Sequence, residues 1–322
     1  MIHTIGTFFA ICLVLWLALS IVFVALYPFM RSWFMSLHPR YGSLLLLAFW
    51  TAPFIASLSS TLILFMPSID SVLIDPHCHS DCSSHVPLIS STGLAWFGFT
   101  TGSIVFLLLI YRLLHTMYQS LQLRRQFNFL GRKHGDYYTI NSRSPLVFTL
   151  GWWKPRIYIS EGLSRACANK DLSIVLLHEQ AHQERRDNLR LLMARLCSAI
   201  LIGRLARNVM NDLRLMTEEA CDFRAAERFG HVAVAETLLK IKRLLMNQPS
   251  ALPQHALAFA ERDVESRVIA LLKGSALISP RPWQLGLLSV LLIFGLVLMV
   301  GPLHHGSEWI IALLTDSAGH VH

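Results

Sequence analysis

The chain has 322 residues, 53% of them hydrophobic and 15% charged, with a mean hydropathy of +0.48. A soluble domain carries about 25% charged residues, so the composition argues against that class; it also excludes a disordered chain and, with six cysteines, a small disulfide scaffold. The formal net charge of +8 fits nucleic acid or an anionic membrane surface, and the placement of the charges decides between them.

Four runs contain no Asp, Glu, Lys, Arg or His: Ile5–Tyr27, Ser43–Met66, Thr92–Tyr111 and Trp283–Leu303. Each has about the 20 residues that cross a ~30 Å hydrocarbon core as a helix. Pro53 predicts a kink in the second run; Trp50, Trp96 and Trp283 are candidate interfacial anchors, with Trp50 and Trp96 equally readable as packing residues. No Lys or Arg precedes the first run and it is long for a cleavable signal, so it reads as a retained anchor.

Arg31 and Arg40 lie between the first two runs, and the other 26 basic residues lie from Arg112 to Arg281. By the positive-inside rule the N-terminus is outside, the 31–42 loop inside, loop 67–91 outside, the segment 115–282 cytoplasmic and the tail outside. The region 112–281 holds 26 basic and 15 acidic residues. This surplus reads as membrane-surface and topological charge, and direct nucleic-acid binding is not expected. The domains are then 1–114 (three spans and an outer loop), 115–282 (a cytoplasmic domain), 283–303 (a fourth span) and 304–322 (a short outer tail).

Within the cytoplasmic segment, His115 to Lys133 reads as a helix leaving the membrane. Tyr137–Ile140, Leu146–Thr149 and Arg156–Ile159 read as short strands broken by Ser-Pro, Gly and Lys-Pro. After Gly162 the pattern is helical. Residues 172–188 read LSIVLLHEQAHQERRDN. His178 and His182 are four apart, so on a helix both imidazoles reach one Zn²⁺, and Glu179 beside them can take a proton from a water activated by the metal. The apolar residues before His178 predict burial, and the charged run Gln183–Asp187 predicts emergence into solvent.

A zinc peptidase needs a third ligand. Residues 216–229 read MTEEACDFRAAERF. Glu218 and Asp222 share one helical face, Glu218 to ligate the metal and Asp222 to hydrogen-bond a ligand histidine. Glu219 points about 100° away and is the weaker candidate. Two surface charges on an amphipathic helix are the bland alternative. The apolar segment 189–210, with Arg190, Arg195, Arg204 and Arg207, reads as an amphipathic helix on the inner leaflet, or else as a helix of a core hairpin. Arg156–Ile159 is either a sheet edge that aligns substrate or a plain core strand. His231 and Tyr158 are weak candidates for an oxyanion donor.

The paired motifs His178-Glu179-x-x-His182 and Glu218-x-x-x-Asp222, with Ser144–Val147 and Lys154–Ile159 flanking, resemble the BlaR/MecR antirepressor metallopeptidases, as does the membrane plan. The resemblance implies an α-helical membrane protein with four transmembrane helices and an α+β zincin-like (gluzincin) domain, in a bacterial cytoplasmic membrane. It implies one Zn²⁺ held by His178, His182 and Glu218, with Glu179 as base and Asp222 behind a ligand. It further implies a transducer that cleaves a cytoplasmic repressor of the BlaI/MecI/CopY type, or itself. The 19 residues after Leu303 do not fit a penicillin-binding domain, so β-lactam sensing by acylation is not expected of this chain alone.

Eight of the 15 histidines fall on segments read as outside. In loop 67–91, His77, Cys78, His79, Cys82 and His85 form a candidate extracytoplasmic metal site, with a Cys78–Cys82 disulfide as the competing reading. Cys12, Cys167, Cys197 and Cys221 read as small buried residues. The leading expectation is thus a signalling zinc endopeptidase with a bilayer, a repressor and an outer metal ion as partners. The alternatives are a quality-control peptidase resembling the HtpX or CAAX-processing type, and a non-catalytic metal-sensing receptor.

Overall fold

The computed structural model describes residues 2–65, 92–201, 203–246 and 254–274, and a few separate positions from 278 to 306. The loop with His77, Cys78, His79, Cys82 and His85 lies outside the described residues, as do most of the run 283–303 and the tail.

Three helices are long and apolar enough to cross a membrane: α1 (Ile2–Ser36), α2 (Pro39–Leu64) and α3 (Thr92–Leu130). α2 runs on through Pro53. Large apolar side chains such as Ile21, Val22 and Leu107 are exposed on them, a surface that lipid would cover. α1 and α3 touch backbone to backbone. A Cβ on Gly98 would collide with the Gly6 carbonyl, and one on Gly102 with Phe9. Glycines four apart permit this approach where hydrophobicity cannot drive helix pairing.

α3 continues 39 residues without interruption, about 58 Å at 1.5 Å per residue. It ends at Leu130, short of the expected Lys133, because Gly131–His134 forms strand β1. A turn at Gly135, with φ +53°, returns the chain into β2 (Tyr137–Ile140), a conformation glycine adopts without steric cost. With β3 (Val147–Leu150) and β4 (Arg156–Ser160) they form a mixed sheet in the order β1-β2-β4-β3, in which only β2 and β4 are parallel. β4 is therefore the plain core strand, with Ile157, Tyr158 and Ile159 at most 1% exposed. The edge is β3. Near the end of α3, Asn128 Oδ1 accepts from Arg156 Nη1 at 3.0 Å and from the Tyr158 hydroxyl at 2.7 Å.

Six helices follow among the described residues: α4 (Glu161–Ala166), α5 (Asn169–Arg185), α6 (Asp187–Cys197), α7 (Arg204–Phe229), α8 (His231–Met246) and α9 (Gln254–Lys273). The Ser160 hydroxyl caps α4 by accepting from the Leu163 N–H. Segment 189–210 is not one surface helix. It forms parts of α6 and α7, and both contribute to a buried core. Ala194, Val209, Leu213 and Met216 join Tyr27, Phe34, Leu46 and Trp50 in one core. Asp212 of α7 accepts from Tyr27 at 2.5 Å and from Arg31 at 2.6 and 2.9 Å. The apolar helices α1 and α2 are thus packed directly on α7.

Candidate metal centre

α5 buries Ile174, Val175 and Ala181, and its helical period turns His178 and His182 together toward α7. Their Nε2 atoms are 3.2 Å apart. Glu218 of α7 completes a triangle, with Oε2 at 3.5 Å from His178 Nε2 and Oε1 at 3.5 Å from His182 Nε2. Ligands about 2.0–2.1 Å from a tetrahedral ion lie roughly 3.3 Å from one another. The donor set and its spacing therefore fit a metal ion such as Zn²⁺.

The other face of each imidazole is fixed. His178 Nδ1 is 2.9 Å from Asp222 Oδ1, and His182 Nδ1 is 2.9 Å from Asp187 Oδ2. An ionised carboxylate only accepts, so each Nδ1 carries the proton and each Nε2 lone pair faces the centre. Asp222 is in turn gripped by Arg267 of α9, Nε at 2.6 Å and Nη2 at 2.7 Å. The same guanidinium reaches Glu218 at 3.3 Å.

Asp187 and Arg267 are absent from the sequence-based site. Asp187 falls in the run expected to emerge into solvent, yet it is 2% exposed. The reason is Arg186, whose left-handed φ 53° and ψ 46° end α5 and fold the next residue back under His182. A non-glycine residue in this region is uncommon. An acidic residue within two turns of the second histidine was the available signal; nothing in the sequence ties Arg267 to Asp222 across 45 positions.

Glu179 is 7% exposed, and its Oε2 accepts from the Thr149 hydroxyl at 2.7 Å. Thr149 lies on edge strand β3, so one strand both borders the site and holds this carboxylate. The cleft beside it is about 170 Å³, walled by Val147, Val175, Val234, Leu238 and Ile241, with His178, Glu179 and Glu218 in its lining. Asn188 donates to the Thr149 carbonyl at 2.9 Å and to the Gly151 carbonyl at 3.2 Å, clamping the end of β3 to α6.

Burial alone would raise the Glu218 and Asp222 carboxyls; the Arg267 charge and the imidazole contacts outweigh it and hold both below the usual range, Glu218 well below. Burial opposes charge on His178 and His182 too, but Asp222, Asp187 and Glu218 raise both above the ordinary histidine value. Glu219 behaves oppositely. It is 7% exposed, and burial, reinforced by the Asp222 charge, pushes its carboxyl up to about 8. Cys221 packs behind the site, Sγ 3.3 Å from His182 Nδ1. Neither oxyanion candidate lines the cleft. Tyr158 is 0% exposed and spends its hydroxyl on Asn128, and the His231 ring packs edge-on against Phe223.

The family model for BlaR1 peptidase M56 matches residues 102–271, a stretch that begins in α3, ends in α9 and contains every residue of the centre. No curated protein and no solved structure matches the chain. The matched stretch is more than half of the 322 residues, and with three helices able to cross a membrane and a His-His-Glu candidate metal site, the chain belongs to the BlaR1 peptidase M56 family of metallopeptidases.

Proposed function

We propose that the chain is a zinc-dependent endopeptidase with a zincin-like catalytic domain at 115–282. In this reading it sits in a bacterial cytoplasmic membrane with both termini outside, and it cuts a cytoplasmic repressor when a signal arrives from outside. The observation that carries the reading is the triangle of His178, His182 and Glu218 ligand atoms at 3.2–3.5 Å, with a carboxylate, Glu179, in the same cleft. Zn²⁺ bound there would supply Lewis acidity, lowering the pKa of water and polarising a peptide carbonyl.

The protein groups do the rest. Glu179 takes a proton from the attacking water and returns it to the leaving amine. Thr149 occupies one carboxylate oxygen and leaves the other to face the cleft. Asp222 and Asp187 hold the ligand imidazoles in one tautomer and one orientation. The substrate extends along β3. The ladder alternates, and Leu146 already bonds Ser160 of β4, so Val147 directs its backbone N–H and C=O outward, where an added strand would pair. The apolar walls favour an apolar side chain next to the cut bond.

The test compares new protein N-termini in cells carrying wild-type protein or Glu179→Gln, with zinc or copper added outside. Glu179-dependent cleavage of one repressor supports the reading, with a loss on the order of 10²- to 10⁴-fold in the variant while bound zinc per chain is unchanged. Cleavage of many misfolded membrane proteins would replace it with a quality-control role.

A further inference from the structure

A second cavity, about 510 Å³, opens between the first turn of α2, the end of α5, the start of α6 and α7. Its size is that of a ligand site. Arg40, Arg185, Arg190 and Arg224 line it, against only Glu184 and Glu227. Arg224 is neutralised by Glu227 at 2.7 Å. Arg40 makes no ion pair among the described residues; its guanidinium lies 5.9 Å from the Tyr41 ring centroid. Arg185 and Arg190 share one carboxylate, Asp187, at 3.1 and 3.7 Å, and His182 already claims that carboxylate at 2.9 Å. Positive charge is therefore left over in a recess where Arg185 keeps only 15% and Arg190 34% of its side-chain surface exposed. Burial and the neighbouring Arg185 charge pull Arg190 below its ordinary value, a cost that an anion would offset.

The location selects the anion. Leu44, second residue of the apolar run 43–66, lines the same cavity and is 47% exposed. The wall thus passes from guanidinium to hydrocarbon within one helical turn, at the end of a membrane helix. Basic pockets at this level suit lipid headgroups. We propose that the cavity binds the phosphate of an anionic phospholipid headgroup, shared between Arg40, Arg190 and Arg185. The ligand would touch the same arginine that braces Asp187 behind His182, placing lipid composition one contact from the metal centre.

Native mass spectrometry of the full chain released from detergent tests this. The protein is titrated with phosphatidylglycerol or phosphatidylcholine, and separately with inorganic phosphate as competitor. One phosphatidylglycerol should be retained at least tenfold more tightly than phosphatidylcholine. Arg190→Gln and Arg40→Gln should each weaken retention about tenfold, the scale of one charge-assisted bond, while Lys133→Gln on β1 leaves it unchanged. Arg40 is exposed and unpaired among the described residues, so its variant keeps the fold and decides the matter if Arg190→Gln does not. Equal retention of the two lipids, or Arg40→Gln retaining lipid as wild type does, overturns the proposal. Displacement by inorganic phosphate at matching concentration overturns the lipid source and assigns the cavity to a soluble anion.

Discussion

The two histidines of the candidate metal site are held by the same chemistry but by different parts of the molecule. Behind His178 stand Asp222 and Arg267, from α7 and α9, in a bidentate pair whose side chains are 1% and 13% exposed. Behind His182 stand Asp187 and Arg185, from the turn that ends α5, and Arg185 also donates to Ser43 of α2 at 2.9 Å. The first arm closes within the peptidase helices; the second reaches a helix able to cross the membrane. Two imidazoles facing the same candidate metal site are therefore unequal in what can disturb them. One is tied to the packing of α7 and α9, the other to the position of α2.

Asp222→Ala should break the first arm most severely. It leaves the Arg267 guanidinium buried without its bidentate partner, a change that costs about 3–5 kcal/mol, readable as a fall in the denaturation midpoint. Glu219→Gln sharpens the same arm from the opposite direction. The Glu219 carboxyl rises from near 4.5 to about 8 on folding, so the folded state binds the extra proton between those values. Wild-type stability then falls as pH rises through that window, by up to about 1.4 kcal/mol per pH unit. The glutamine variant should lack this slope, matching wild type near pH 4 and exceeding it at pH 8; a slope that persists would show that another group carries it.

Asp187→Ala should affect metal more than fold, because Arg185 keeps Ser43 and partial access to water. Zinc affinity measured by competition with a chelator should fall about 10- to 100-fold. Ser43→Ala is the mildest. Loss of one hydrogen bond costs about 1 kcal/mol, and zinc affinity should fall less than in Asp187→Ala, because Asp187 itself stays behind His182. If Ser43→Ala left zinc affinity the same as wild type, the tie from α2 through Arg185 to His182 would be refuted.

What the sequence made legible follows helical period. His178, His182, Glu218 and Asp222 sit at four-residue spacings, and the structure brings them together because two helices face each other. Asp187 was hidden because its position depends on one left-handed residue, Arg186, which no spacing encodes. Arg267 was hidden because its contact spans two helices and a long connection. The three expected strands are nearly right in extent, β1 has no counterpart among them, and the rank of β4, open between edge and core in the sequence, is decided by β2 pairing beside it in parallel. The switch of Gly131 from helix to strand was likewise set by a partner, Ile140, rather than by local preference.

The unbroken run of α3 has a mechanical consequence. A helix whose every turn is braced by its own backbone hydrogen bonds bends little, so a tilt imposed at Thr92 is not absorbed along the way. It would reach Asn128, and from there Arg156 and Tyr158 in β4, one of the two inner strands of the sheet. That strand carries β3 at its flank, and β3 carries Thr149. The sheet would then be the short end of a lever whose long end is the apolar part of α3, and the group it would move is the carboxylate of Glu179.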